Sequence, residues 1–175
     1  MFQHHLEEIA GGIAGVIQTK SKIENCMNSG NINAIGGPAG GIVGMMAHKD
    51  GYAYSTVEKC YNSGNIKGLG LVGGIVGQIG GVNGKGTVTQ CYSKGTVVET
   101  DTSRTDRGAI FGYQTNKTGA NTLNKLFYYT NINGLTAEGG VEDNETNQIM
   151  KVSQDLNYEQ FKNWIDEQWN RQRNV

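Results

Sequence analysis

Residues Val57–Ile66 read VEKCYNSGNI, and the same ten positions recur as IENCMNSGNI at Ile23–Ile32 and as VTQCYSKGTV at Val88–Val97. Cys26, Cys60 and Cys91 fall at equivalent points, and a fourth, decayed copy, LNKLFYYTNI at Leu123–Ile132, carries Leu126 in the cysteine position. A second block precedes each of them: GGIAG at Gly11–Gly15, GGIVG at Gly40–Gly44, GGIVG at Gly73–Gly77 and GAIFG at Gly108–Gly112. Self-similarity of this kind marks a repeat architecture, in which one small unit is stacked on the next because it cannot bury its own apolar face.

Helical repeats share such periods, so the residue types have to decide. The blocks hold Ile, Val, Thr and Tyr in runs of four to six, bounded by Gly, Asn and Ser, and none offers the ten or more helix-favouring residues that a helical repeat needs. The Asn-Ser-Gly-Asn of Asn28–Asn31 and Asn62–Asn65 is corner chemistry. The repeats therefore predict an all-β parallel solenoid, a β-helix or prism of about four coils, with one repeat and about three strands per coil. Equivalent residues then stack about 4.8 Å apart. Ile13, Ile42, Ile75 and Ile110 make one expected interior ladder, and Cys26, Cys60, Cys91 and Leu126 another. The paired glycines fit places where backbone crowds backbone.

The chain divides into a tail or partial cap at 1–10, repeats at 11–133, a connection at 134–156 and a terminal helix at 157–175. Asn157 with Gln160 is a capping box, and Phe161, Trp164, Ile165 and Trp169 recur at helical spacing. The expected helix, Tyr158 to about Arg171, is assigned to the open end of the stack as its lid. The short polar run QHHLEEIA at Gln3–Ala10 is a poor lid for the other end. Either a longer parent protein with other domains or an imperfectly capped first coil is therefore expected.

Composition excludes several classes. Glycine supplies 27 of 175 residues and proline one, which is neither collagen nor a Pro-rich linker. Fifteen Lys+Arg balance sixteen Asp+Glu, so the basic excess that nucleic-acid binding draws on is lacking. The longest uncharged stretch, Gly68–Val82, is broken by glycines and falls short of the roughly 20 residues that cross a bilayer, so no membrane insertion is expected. Met1–Glu8 has neither the cationic start nor the apolar core of a signal peptide.

Gly70-Leu71-Val72-Gly73 and the Gly-Ile-X-Gly copies at Gly12–Gly15, Gly41–Gly44 and Gly74–Gly77, each followed by a segment like Cys60–Ile66, resemble the GLUG-motif repeat. This family takes its name from a Gly-Leu-hydrophobic-Gly pattern. It occurs in large bacterial cell-surface and secreted proteins, including relatives of the immunoglobulin A peptidases. The resemblance covers about three quarters of the chain and implies an extracellular or cell-surface setting. It implies no catalytic activity, because these repeats accompany catalytic domains.

No residue pattern calls for a cofactor. Stacked cysteines point the same way at a spacing too wide for a disulfide, so they read as small buried hydrophobes. His4 and His5 precede the repeats and His48 stands alone in a loop. Glu99, Asp101 and Asp106 cluster in one insertion and are the weak candidates for a cation or for acid–base chemistry. Tyr61 and Tyr92 follow inward cysteines and so point outward. With Tyr52 and Tyr54 on the nearby loop they form a candidate contact for a host or cell-surface glycan or protein. The expected function is a non-catalytic module in adhesion or spacing. A glycan-binding module using the tyrosines and a polysaccharide-degrading enzyme using the acids are the alternatives.

Overall fold

The computed structural model of the chain describes residues 8–47, 54–80, 85–101, 103, 106–114, 121–129, 135–136 and 149–173. Tyr52, His4, His5 and His48 lie outside them, as does the side chain of Tyr54. Among the described residues every strand pairing is parallel, and the strands of successive repeats stack into four sheets. Sheet A holds β1 (Ala10–Gly11), β6 (Ala39–Gly40), β11 (Val72–Gly73) and β15 (Arg107–Gly108). Sheet B holds β2 (Ala14–Gln18), β7 (Val43–Ala47), β12 (Val76–Gly80) and β16 (Phe111–Gln114). Sheet C stacks β3 (Lys22–Glu24), β8 (Tyr54–Glu58), β13 (Lys85–Ser93), β17 (Thr122–Tyr129) and β18 (Ile149–Val152), with β4 (Met27–Asn28) and β9 (Tyr61–Asn62) continuing its lower rows. Sheet D holds β5 (Ile32–Asn33), β10 (Ile66–Gly68) and β14 (Val97–Glu99). This is the parallel solenoid that the repeats predict, but with four sheets around the axis where about three strands per coil were expected.

Both ladders form. The amide of Ile13 donates to Ile42 O, that of Ile42 to Ile75 O and that of Ile75 to Ile110 O, at 3.0, 2.9 and 2.9 Å. Ile42, Ile75, Ile110, Cys60, Cys91 and Leu126 are fully buried in one core. Their first members depart from the expectation: Ile13 is 45% exposed and Cys26 half-buried. Each belongs to the first coil, which among the described residues has a neighbour on one side only.

A kink repeats in sheet C. Asn25, Lys59, Gln90 and Lys125, each one residue before a cysteine or Leu126, adopt φ between 51° and 54°. In a straight strand residues three apart face opposite sides. The left-handed residue resets that phase, so Val57 and Cys60 both face the core, as do Val88 and Cys91. Each thiol donates to the carbonyl two residues back: Cys26 to Glu24, Cys60 to Glu58 and Cys91 to Thr89, all at 3.2 Å. Cys60→Ser is expected to cost about 1–2 kcal/mol, since the smaller hydroxyl leaves a void and loses more hydration than the Glu58 carbonyl returns. An unchanged urea midpoint would show that the thiol column carries no packing energy.

The Asn-Ser-Gly-Asn corners are stapled from within. Asn62 Nδ2 donates to Gly64 O and its Oδ1 accepts from Gly64 N, and Asn28 holds Gly30 in the same way. Asn28 Nδ2 also donates to Asn62 Oδ1 at 2.9 Å, joining the corners of adjacent coils.

The connection read over 134–156 is not one throughout, because β18 adds a fifth row to sheet C, pairing Leu126 with Ile149 and Phe127 with Met150. The terminal helix, α1 (Tyr158–Arg173), begins with the expected capping box: Asn157 N donates to Gln160 Oε1 and Gln160 N to Asn157 Oδ1, both at 2.9 Å. Its position is different from the expected one. It lies along the flank of sheet C instead of closing an end of the stack.

Candidate functional site

The outer face of sheet C is where the sequence places its contact residues. Alternation across the kink turns Tyr61, Tyr92 and Phe127 away from the solenoid core, and their rows pair Tyr61 with Tyr92 and Tyr92 with Phe127. The tyrosine rings stack with centroids 5.6 Å apart and planes 11° from parallel. Outward direction is as expected, but exposure is not: Tyr61 and Tyr92 are 2% and 0% exposed. Phe161 of α1 sits over both rings at 5.8 and 6.0 Å, and Trp164 meets Phe127 edge-on at 4.6 Å. These aromatic residues and Ile165 form a second apolar core, separate from the one inside the solenoid. A stripe this apolar is worth more covered by the chain's own amphipathic helix than left to water.

The phenol groups anchor the segment leading into the helix. Tyr61 Oη donates to Leu156 O at 2.8 Å, and Tyr92 Oη donates to Gln154 O at 2.6 Å while accepting from Leu156 N. Tyr158 Oη reaches back to Asn25 O in the first coil. Lys94 pairs with Asp155 and Lys59 with Asp166 at the rim. Burial pushes the Tyr92 phenol well above the ordinary tyrosine range. A phenol whose folded value exceeds the unfolded one of about 10 keeps its full contribution below pH 10. Above that the contribution drains away, because the unfolded chain ionises first. Tyr92→Phe should therefore cost about 1 kcal/mol at pH 7 through the lost bond to Gln154. It should also flatten the fall in stability that the parent chain suffers on titration above pH 10, read by urea melts at stepped pH. An equally steep fall in both chains would show that Tyr92 does not set alkaline stability.

The three acids have different local settings. Alternation along β14 turns Glu99 into the fold, where it is buried, and Asp101 is engaged locally, its Oδ1 accepting from Ser103 N and Ser103 Oγ. Asp106 contributes its main chain, whose carbonyl accepts from Val72 N. Among the described residues no three His, Cys, Asp or Glu side chains gather as metal ligands. All three cysteines are free thiols, and burial raises Cys91 and Cys26 above the usual thiol range. No helix among the described residues is long and apolar enough to cross a membrane.

The model of the GLUG motif matches residues 8–33. The chain carries a GLUG repeat. The match spans β1 to β5, the whole first coil, and the register makes residues of the following GLUG-like coils its structural equivalents. The two ends of the motif's glycine block have a visible task. Gly40 and Gly44 bring sheets A and B together backbone to backbone: a Cβ on Gly40 would collide with Val43 O and lie 2.7 Å from Gly77 N, and one on Gly44 would lie 2.6 Å from Ala10 O. No curated protein and no solved structure matches the chain.

Proposed function

We propose that the chain is a non-catalytic structural module of a bacterial surface or secreted protein, a short rigid spacer that holds other domains of a longer parent chain apart. The observation that carries this reading is the use of the aromatic stripe. The tyrosines that would offer sugar rings a flat platform are consumed by α1, and the rest of the repeat is given over to coil-to-coil hydrogen bonds. The kind of protein in which GLUG repeats occur supports an extracellular setting.

The test is electrophoresis of the purified chain in native gels cast with polysaccharides or mucin, followed by analysis of those polymers for fragments. Unretarded migration with intact polymer is expected. Retardation without fragments moves the reading from spacer to adhesion, with a host or cell-surface glycan as partner. Fragments sink both. A spacer must also tolerate lengthening. Duplicating one period, residues 40–72, should extend the particle by about 4.8 Å in small-angle scattering while preserving cooperative unfolding.

A further inference from the structure

The four sheets couple each coil to its neighbours. Among the described residues every strand pairing joins adjacent rows, so no strand pairing ties the first coil to the third or fourth. A stack held in this way opens piecemeal, because freeing one coil breaks its own interfaces and leaves the others standing.

One segment crosses the rows instead of joining them. It leaves β18 at Val152, beside Tyr129 of the fourth coil. Gln154 O then accepts from the phenol of Tyr92 in the third coil, and Leu156 O from that of Tyr61 in the second. Tyr158 donates its own phenol proton to Asn25 O in the first. Helix α1 returns over the same ground, with Phe161 bridging Tyr61 and Tyr92 and Trp164 against Phe127 of the fourth coil. Asp155 and Asp166 add ion pairs to Lys94 in the third coil and Lys59 in the second. Residues 149–166 therefore touch all four coils.

We propose that this segment is a clasp, which couples coils that share no strand pairing and makes the four short repeats open as one unit. The coupling comes from the shared burial of the second core. Tyr61, Tyr92 and Phe127 belong to three different coils but lie under one helix with Phe161 and Ile165, so the departure of any one coil uncovers the aromatic groups of the other two. The first coil joins through Tyr158, whose ring packs on Tyr61 at 5.8 Å while its hydroxyl holds Asn25. The clasp acts whatever the module carries, so its test does not bear on the spacer reading.

Native-state hydrogen exchange of the full chain in rising, sub-denaturing urea tests it. The reporters are the amides of Ile32, Ile66 and Ile75, which donate to Asn65 O, Thr96 O and Ile110 O and so span the three interfaces between successive coils. Their side chains pack in the core inside the solenoid, not in the one under the helix. In the parent chain the three amides should open with one free energy and one urea dependence. Phe161→Ala releases the clasp, and protection should then spread about tenfold or more from one interface to another. The milder Phe161→Leu should give a narrower spread, and it is read in the same way if the alanine chain does not fold. Three amides that still open together in the variant overturn the proposal, because the coil interfaces then suffice. So does a parent chain in which they already open separately.

Discussion

Gly40→Ala is expected to cost about 3 kcal/mol or more and, in a marginal chain of this size, to leave much of the population unfolded at room temperature. The cost arises because a methyl group there meets only backbone: Val43 O, Val43 C and Gly77 N. No side chain can swing aside, so sheets A and B must separate, and every coil-to-coil bond registered on that junction is strained with them. Gly30→Ala is the control. Its added methyl would meet Asn28 Oδ1 at an ordinary 3.5 Å, and its expected effect is within about 0.5 kcal/mol. Urea denaturation of the two variants side by side reads the difference. Equal losses would show that the glycines serve chain flexibility and not close approach.

Phe161→Ala is expected to cost about 3–4 kcal/mol and to release α1 from the flank. Phe161 is fully buried and touches both Tyr61 and Tyr92, so its removal takes the centre out of the second core. A sixteen-residue helix of this composition has little stability in water without a packing surface, so the helical far-UV signal should fall with docking. The parallel solenoid, whose own core lies on the other side of sheet C, should remain. The uncovered phenols should then react with tetranitromethane, whereas in the parent chain their burial should protect them. Retained helix signal with unreactive tyrosines would mean that the rim pairs Lys94–Asp155 and Lys59–Asp166 hold the helix alone, contrary to the small worth of exposed ion pairs.

The amino-acid sequence determined the parts of this protein that repeat. Three cysteines and four glycine blocks at matching steps dictated stacked strands, because identical residues at identical phase can only be satisfied by identical neighbours one coil away. The Ile42–Ile75–Ile110 and Cys60–Cys91–Leu126 ladders, the Asn-Ser-Gly-Asn corners and the capping box of α1 were all legible in that way. The strand alternation that turned Tyr61 and Tyr92 outward was legible too.

Tertiary structure alone decided what did not repeat. Both halves of the second core were visible in the sequence, the tyrosine stripe and the Phe161, Trp164, Ile165 face, yet nothing local joins two apolar surfaces when Phe161 lies 100 residues beyond Tyr61 and 69 beyond Tyr92. Their meeting depends on β18, which shows no repeat signature of its own and takes its place only by pairing with β17. That pairing delivers the chain to the flank instead of the end. A surface that the sequence offers to sugars thereby becomes interior. Glu99 follows the same logic: its place in the insertion made it a weak candidate for a cation or for acid–base chemistry, while the register of β14 against β10 set it inside. Burial is a property of what comes to lie on top of a residue, and for these residues the covering elements are remote in sequence.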